Sequence, residues 1–368
     1  MKSKKLLILV GTVCAVLTLM VVSFMTAAAC ASEKEALPPP APTAGEEGNT
    51  ETALEARYLT VALCQVDVWS MDPDLEARVA TNLENVKGQA RFVAFFDNPD
   101  MIVFPEILIP GPELDPANAS LMAEPIPGGP ICQEMAALAK ELGVWLIPGS
   151  IFEAGPNGEV YNTAIVLSPE GELVAKFQKK YPAVPEEQCT PGEWSSADDY
   201  AVFEIPGKGK VGVLVCYDAY FPEPARVLAW RGAELIIQLS LGAPSSIGPS
   251  PSLQIARAFE NQCYYAFCNV GRPTAEGGSC FVDPEGRVLE MLGEVPATLC
   301  ATLNLAEVYR VREYGTWIGI CPLKHWAYMG PKTFPCYEQG IENGEVFKTL
   351  SKTYPQTLDQ VKRYPGQK

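Results

Sequence analysis

The sequence of 368 residues predicts an α/β fold, because segments with strand and helix patterns alternate along it and the strand segments are apolar on both faces. Residues 101–104 and 211–215 contain no polar side chain, whereas residues 75–96 carry apolar side chains at helical spacing. A strand without a polar face has to be covered on both sides. The sequence therefore predicts sheets that are packed against helices.

Each predicted element follows from its local pattern, taken in chain order. Short apolar runs predict strands at residues 59–65, 101–104, 144–147, 161–167, 173–179, 211–215, 235–239, 263–269, 279–282 and 287–291. Apolar residues at helical spacing predict helices at residues 75–96, 131–142, 222–231 and 253–262. No internal repeat is visible. We therefore expect one α/β domain over residues 57–313, followed by an irregular C-terminal arm over residues 314–368.

The N-terminal residues 1–31 have the composition of an export signal. Three lysines among the first five residues precede an uncharged, mostly apolar run that continues to residue 31. Three interpretations remain open: a lipoprotein signal that lipidates Cys30, an ordinary cleavage site at the preceding alanines, or an uncleaved membrane anchor. Each places the rest of the chain outside the cytoplasm, and we favour attachment to the membrane. Residues 32–56 are rich in Pro, Ala and Glu, which predicts a flexible linker.

Charge and composition exclude several classes of function. A formal net charge of -16 argues against a nucleic-acid partner, because phosphate binding needs a basic surface. The single histidine, His325, rules out metal sites built from several histidines of one chain, and it lies outside any recognisable motif. The twelve cysteines include no pair separated by two residues, so a zinc site is not expected. Hydrolytic chemistry in this chain is therefore expected to use carboxylate, lysine or thiol groups.

Cys216 is the candidate nucleophile. It directly follows the apolar strand 211–215 and precedes a predicted helix, which resembles the strand–turn–helix arrangement of a nucleophile elbow. A helix N-terminus beside the thiol would favour the thiolate. The alternative for Cys216 alone is a buried structural cysteine.

Lys179 and Glu106 are candidate partners of that thiol. Side chains alternate along a strand, so Lys179 shares the apolar face of residues 173–179, whereas Lys180 is expected to face water. Glu106 follows a strand without polar residues. For each alone the alternative is a surface turn. Together, a carboxylate base, an ammonium donor for an oxyanion and a thiol suffice for attack on an amide or nitrile carbon.

Glu-Lys-Cys is the triad of the nitrilase superfamily, and residues 58–313 resemble that family. The matching motifs occur in the family's order: Met101-Ile-Val-Phe-Pro-Glu106, Gly149-Ser-Ile-Phe-Glu153, Tyr161-Asn-Thr163, Lys176-Phe-Gln-Lys179, Cys216-Tyr-Asp218 with Phe221-Pro-Glu223, Gly232-Ala-Glu-Leu235, Arg257-Ala-Phe-Glu-Asn-Gln262, Cys268-Asn269 and Asp283-Pro-Glu-Gly286. The resemblance implies a four-layer α-β-β-α sandwich that pairs as a homodimer or a higher homo-oligomer. It implies no metal and no organic cofactor.

The resemblance also assigns roles to individual residues. Glu106 would be the general base, Lys179 the oxyanion partner and Cys216 the nucleophile that forms a thioester or thioimidate. The second glutamate of the family corresponds best to Glu187, although Glu186 is adjacent. The backbone amide of Tyr217 would be a second oxyanion donor. The carboxylates of two residues near the nucleophile, Asp218 and Glu223, are expected to brace the elbow.

The chain departs from the family pattern at several positions. Phe177 and Gln178 replace the Tyr-Arg that the family often has before the lysine, and Ala183 and Val184 stand where aliphatic amidases tend to carry tryptophan and cysteine. The sequence Cys216-Tyr-Asp218 resembles the amidase and carbamoylase branches rather than the nitrilases, which usually have Trp-Glu after the cysteine. These departures leave the substrate open.

The expected activity is hydrolysis of a small linear amide or N-carbamoyl compound through an acyl-enzyme on Cys216. Three alternatives remain: an N-acyltransferase of the same superfamily, nitrile hydrolysis, and a binding protein built on an inactive scaffold. The sequence does not identify which of the other cysteines form disulfides.

Overall fold

The strands of the protein form two β-sheets. The computed structural model describes residues 55–113, 115–181, 200–242, 250–315 and 321–324. The strands are β1 (Tyr58–Gln65), β2 (Met101–Val103), β3 (Trp145–Ile147), β4 (Ser150–Ala154), β5 (Val160–Leu167), β6 (Leu173–Gln178), β7 (Val202–Ile205), β8 (Gly209–Val215), β9 (Leu235–Ser240), β10 (Tyr264–Asn269), β11 (Cys280–Val282), β12 (Val288–Met291) and β13 (Ala297–Asn304). The first sheet has the order β13-β1-β2-β3-β5-β4, with β6 paired to β5, and the second has the order β12-β11-β10-β9-β8-β7.

Helices cover the outer faces of both sheets. They are α1 (Leu75–Asp97), α2 (Pro116–Met122), α3 (Pro130–Leu142), α4 (Pro222–Trp230), α5 (Ser252–Asn261) and α6 (Ala306–Tyr314). One apolar cluster joins the inner faces of the two sheets, where Leu63 and Val213 are fully buried, and it extends to α4 and α5. A second cluster fills the space between the first sheet and the helices α1 and α3. The four-layer α-β-β-α arrangement predicted from the resemblance is confirmed.

The centre of each sheet is parallel. Strands β1, β2 and β3 run parallel to one another, as do β8, β9 and β10, and antiparallel strands flank them. The carboxyl ends of neighbouring parallel strands lie at the same edge of a sheet. This arrangement brings the residues that follow β2, β8 and β9 to the positions where the candidate site forms.

Several predictions concern residues outside the described part of the chain. The export signal, nearly all of the linker, His325 and Glu187 are among them. Within the described ranges, no helix is both long enough and apolar enough to cross a membrane. The division into signal, linker, domain and arm therefore stays a prediction.

Candidate active site

Cys216 stands at a sharp turn at the end of β8. The strand stops at Val215, and a single 3-10 turn, Cys216–Tyr220, leads to α4. The backbone of Cys216 has φ +47°, a left-handed conformation that non-glycine residues rarely adopt. Such strain persists only where the surrounding structure enforces it. This is the geometry of the predicted elbow, with a 3-10 turn rather than an α-helix directly after the thiol.

A network of buried hydrogen bonds holds the turn at Cys216 in place. Gln238 on β9 donates from Nε2 to the carbonyl oxygen of Cys216, at 3.1 Å. The amide oxygen of Gln238 accepts hydrogen bonds from the hydroxyl of Tyr265 at 3.0 Å and from Nε2 of Gln254 at 3.2 Å. All three side chains are buried, so the loss of one hydrogen-bond partner would leave a buried polar group unpaired and destabilise the fold. The network therefore fixes one orientation of the turn.

Two charged side chains brace the same turn. The Arg257 guanidinium donates to the carbonyl oxygens of Ala219 and Tyr220, at 2.9 and 3.0 Å. Asp218 accepts hydrogen bonds from the backbone N–H groups of Lys180 and Tyr181 at 3.0 and 2.8 Å, and from that of Val215 at 3.3 Å. The Asp218 carboxylate thus ties the chain after Lys179 to the elbow, which agrees with its predicted bracing role.

Glu106 is placed by a close approach of two backbone segments. A Cβ on Gly149, which has φ +96°, would lie 2.1 Å from the carbonyl oxygen of Pro105, so only glycine fits there. The hydroxyl of Ser150 accepts a hydrogen bond from the backbone N–H of Ile107 at 3.0 Å. These contacts hold the loop after β2, and with it the side chain of Glu106, which is 2% exposed.

Glu106 and Lys179 form a buried ion pair. The Lys179 ammonium donates to Oε1 of Glu106 at 2.9 Å, and the two side chains are 3% and 2% exposed. Asn162 donates to the same oxygen at 2.9 Å, and the backbone N–H of Leu241 donates to Oε2 at 2.9 Å. Two charges this far from water need partners of this kind. Strand alternation correctly predicted the inward direction of Lys179.

The prediction that Lys180 faces water was wrong. Lys180 is 8% exposed, and its ammonium lies 5.5 Å and 5.7 Å from the ring centroids of Phe177 and Tyr200. The reason is that pairing with β5 continues only to Lys179, whose N–H donates to the carbonyl oxygen of Asn162, whereas the N–H of Lys180 donates to Asp218. Alternation of side chains therefore no longer applies at Lys180. The ammonium group of Lys180 is therefore close to aromatic rings instead of solvent.

The thiol of Cys216 lies within reach of both charged partners, and Ser240 donates to its Sγ at 3.6 Å. Burial and the neighbouring Glu106 carboxylate raise the pKa of Cys216 to about 12, against the opposing effects of Lys179 and Ser240. Lys179 thus favours the thiolate, as expected, but burial and Glu106 outweigh its effect, so the resting site holds a thiol. A thiol with so high a pKa needs a base at the moment of attack.

The structure thus brings together Glu106, Lys179 and Cys216, while Glu187 lies outside the described residues. Tyr217 follows the thiol in the 3-10 turn, and its ring lies 5.1 Å from that of Tyr220. In the described part of the chain, no cluster of three or more His, Cys, Asp or Glu side chains could hold a metal ion. The arrangement can deprotonate a thiol and place an ammonium group near a developing oxyanion.

Comparison with known proteins gives one consistent result. A family model described as carbon–nitrogen hydrolase matches residues 60–313. Human (Homo sapiens) deaminated glutathione amidase is 31% identical over 273 residues, which cover 69% of this chain and 79% of that protein. Nit3 of Saccharomyces cerevisiae, a member of branch 10 of the nitrilase superfamily, has a TM-score of 0.60 at 28% identity, covering 69% of this chain and 93% of that one.

A second solved structure bears on the chemistry. A mutant of the amidase from Nesterenkonia sp. AN1 shows covalent addition of the acetamide moiety of fluoroacetamide at its active-site cysteine. It is 25% identical to this chain with a TM-score of 0.58, and the match covers 70% of this chain and 94% of that one.

Proposed function

The chain belongs to the carbon–nitrogen hydrolase family and to the amidase-like branch of the nitrilase superfamily, and on that premise we propose that it hydrolyses small linear amides or N-carbamoyl compounds through a thioester on Cys216. Membership confirms the resemblance that the sequence motifs indicated. The observation that carries the proposal is the buried Glu106–Lys179 pair beside a strained, half-buried cysteine. The covalent adduct on a cysteine of the Nesterenkonia amidase supports it.

The proposed reaction begins with proton transfer from the thiol to Glu106. Sγ of Cys216 then forms a bond to the amide carbon, and the carbonyl oxygen takes up the negative charge. The ammonium of Lys179 and the backbone N–H of Tyr217 stabilise that oxyanion. Because Lys179 also binds Glu106 at 2.9 Å, its charge acts on both the base and the developing oxyanion.

The second half of the proposed reaction releases the products. Glu106 returns its proton to the leaving nitrogen, the C–N bond breaks, and ammonia or an amine departs from the thioester. Water then attacks the thioester carbon while Glu106 accepts a proton from it. The carboxylic acid leaves as the C–S bond breaks, and Glu106 passes the proton to the sulfur, which restores the thiol. Glu187 is proposed to position the substrate and to assist these proton transfers.

The test is ammonia release by the full chain from a panel of amides, N-carbamoyl amino acids and nitriles. Cys216→Ala is expected to abolish activity, and Glu106→Gln to reduce kcat by about 10²–10⁴. Cys300→Ala, which changes a half-buried cysteine on β13, is the matched control and should retain activity. Full activity of Cys216→Ala would refute the proposal. Addition of amine acceptors distinguishes hydrolysis from acyl transfer by the product formed.

We also propose that the enzyme is exported and tethered to the membrane through its N-terminal segment or a lipidated Cys30. The basic and then apolar composition of residues 1–31 supports this. Intact mass of the purified protein tests it. A lipid-modified chain beginning at Cys30 or a full-length chain is expected, and a mature N-terminus at Ser32 would contradict the lipoprotein route.

A further inference from the structure

Three phenylalanines form an exposed cluster at the end of α1. Phe92, Phe95 and Phe96 are 56%, 79% and 65% exposed. The ring centroid of Phe96 lies 4.6 Å from that of Phe92 and 4.9 Å from that of Phe95. Residues three and four positions apart share one face of a helix, so the rings form one continuous apolar surface. A single exposed apolar side chain is ordinary, whereas a contiguous aromatic patch marks a site of contact.

This phenylalanine cluster lies at the edge of the first sheet where the N-terminal linker enters the domain. Helix α1 ends at Asp97, shortly before Asp100, which is bound to β1. The backbone N–H of Asp100 donates to the carbonyl oxygen of Thr60 at 2.9 Å, and its Oδ2 accepts from the N–H of Thr60 at 2.8 Å. Because Thr60 lies near the start of β1, the predicted linker over residues 32–56 joins the domain close to the cluster.

The candidate active site lies at the opposite edge of the same sheet. Strands β1 and β2 are parallel, and α1 returns the chain from the carboxyl end of β1 to the amino end of β2. Glu106 follows the carboxyl end of β2, whereas the phenylalanine cluster precedes its amino end. A surface that contacts the cluster therefore lies away from the edge that carries the site.

We propose that the phenylalanine cluster inserts into the surface of a lipid bilayer and orients the tethered domain on the membrane. Helices that carry phenylalanine, tryptophan or leucine on one face bind at the boundary between lipid headgroups and acyl chains. The linker that enters beside the cluster follows the predicted membrane attachment over residues 1–31, which favours lipid over a soluble partner.

The tether explains how so small a patch suffices. A group that is linked to a bilayer meets it at a high effective concentration, so the cluster needs far less affinity than a free domain would. The inference rests on the proposed attachment and adds to it the face of the domain that contacts lipid. It is independent of the proposed hydrolase activity.

The test reconstitutes the full chain into vesicles of phosphatidylcholine, whose neutral headgroups do not repel the net charge of -16. Phe95 is replaced by the photo-cross-linker p-benzoylphenylalanine, and mass spectrometry of the irradiated peptide identifies the captured molecule. A lipid adduct is expected.

Leu121 on α2 is the matched control position for the cross-linker. It is 77% exposed, and α2 packs against the start of α1, far from the phenylalanine cluster at its end. The lipid adduct at Leu121 should be about tenfold weaker or less, because only the cluster enters the interface.

A second variant tests whether the apolar rings are required. Phe92→Ser and Phe96→Ser, with the cross-linker kept at position 95, should remove most of the lipid adduct. Hydrolysis of a soluble amide should stay within about twofold, because a change at an exposed position away from the site has little effect on the fold. An unchanged lipid adduct in this variant would overturn the inference, since the tether alone would then account for the proximity.

Equal lipid adducts at positions 95 and 121, or an adduct at position 95 to another segment of the chain or to a second copy, would also overturn the inference. The proposed attachment would then remain. Failure of the full chain to float with the vesicles in a density gradient would overturn the attachment and this inference together, and it would leave the proposed hydrolase activity standing.

Discussion

Ser240 is a residue whose position beside the nucleophile follows from strand pairing. The parallel register sets Val215 opposite Leu239, so the next residues, Cys216 and Ser240, are neighbours. Ser240 is 3% exposed, and its hydroxyl donates to Sγ at 3.6 Å. Because the sulfur of Cys216 accepts a hydrogen bond from Ser240, its own proton is directed towards Glu106. Ser240 is therefore a positioning residue for the first proton transfer.

Replacement of Ser240 by alanine is expected to lower kcat about fivefold to tenfold, because one hydrogen bond to the reacting sulfur is lost. KM should change by less than about twofold, since the hydroxyl is directed at the sulfur. Steady-state kinetics on the best amide measures both. Ser240→Thr keeps the hydroxyl and should recover most of the loss. A change in KM alone would show that Ser240 contacts substrate instead.

The resting state of the thiol gives a second prediction. Glu106 raises the pKa of Cys216 and Lys179 lowers it, so Glu106→Gln should lower this pKa while it slows amide hydrolysis. Alkylation of Cys216 by iodoacetamide, followed by peptide mass mapping, is expected to rise with pH up to at least pH 10 in the unmodified enzyme. In Glu106→Gln it should level off at lower pH. Cys300 in the same sample is the internal reference, and identical profiles for Cys216 would contradict the prediction.

Sequence patterns identified the charged and thiol candidates because each one breaks a local rule. A lysine on an apolar strand face, a glutamate after a strand without polar residues and a cysteine at an abrupt strand end are visible without a structure. Ser240, Gln238 and Asn162 break no such local rule, since Gln238 and Asn162 lie within predicted strands and Ser240 directly follows one. Their contacts with the site depend on which strands are neighbours, and local spacing carries no information about that.

At the scale of secondary-structure elements, the turn between β3 and β4 contacts the loop that carries the base. Gly149 in this turn lets the backbone pass within van der Waals distance of Pro105. Gly149→Ala introduces a clash in addition to strain at φ +96°, and we expect it to displace the loop that carries Glu106. The position of the base thus depends on a residue that does not touch the reacting atoms.

The matched control for Gly149→Ala is Gly158→Ala, at φ +89° with open space around the added methyl group. Both variants are strained by the left-handed backbone, which costs about 1–2 kcal/mol. Gly149→Ala should lose about 1–3 kcal/mol more because of the clash, and its kcat should fall, whereas Gly158→Ala stays fully active. Urea unfolding and amide hydrolysis measure the two effects. Equal stability of the two variants would contradict the proposed role of the close approach.

Most predicted elements agree with the structure to within one or two residues, and the missed ones share a physical cause. Strands β4, β7 and β13 and helices α2 and α6 had no prediction. Strand β13 (Ala-Thr-Leu-Cys-Ala-Thr-Leu-Asn) is only partly buried along an edge, so no continuous apolar run marks it. Strand β4 follows β3 after two residues, and α2 has only seven residues. Short or half-buried segments depend on tertiary partners more than on their own pattern.

At the scale of the whole molecule, the site lies where the two sheets meet. Lys179 follows β6 of the first sheet, and Cys216 follows β8 of the second. The Asp218 carboxylate joins them, because it accepts hydrogen bonds from the chain after Lys179 and from the end of β8. Arg57, before β1, similarly binds Glu234, before β9. Packing of the two sheets and assembly of the triad are therefore coupled.

Because Asp218 joins the two sheets, its titration predicts that the free energy of unfolding depends on pH. Burial raises the pKa of Asp218 from 3.8 to about 7, although the three backbone N–H groups and Lys179 act in the opposite direction. Between pH 4 and 7 the folded protein therefore holds a proton that the unfolded chain has released. The contribution of Asp218 to the free energy of unfolding is largest below pH 4, falls by up to about 1.4 kcal/mol per pH unit as the pH rises, and is flat above pH 7.

Asp218→Asn removes this titration. The free energy of unfolding of the unmodified protein minus that of the variant should therefore decrease from pH 4 to pH 7, by on the order of 4 kcal/mol. Urea unfolding at half-unit intervals of pH measures it. Asp72→Asn, on the exposed segment before α1, is the control for loss of a carboxylate and should show no comparable trend. A difference that stays constant across this range would mean that Asp218 remains ionised in the folded protein. The two sheets would then be held together at the site by a carboxylate whose backbone N–H donors and neighbouring Lys179 outweigh the cost of its burial.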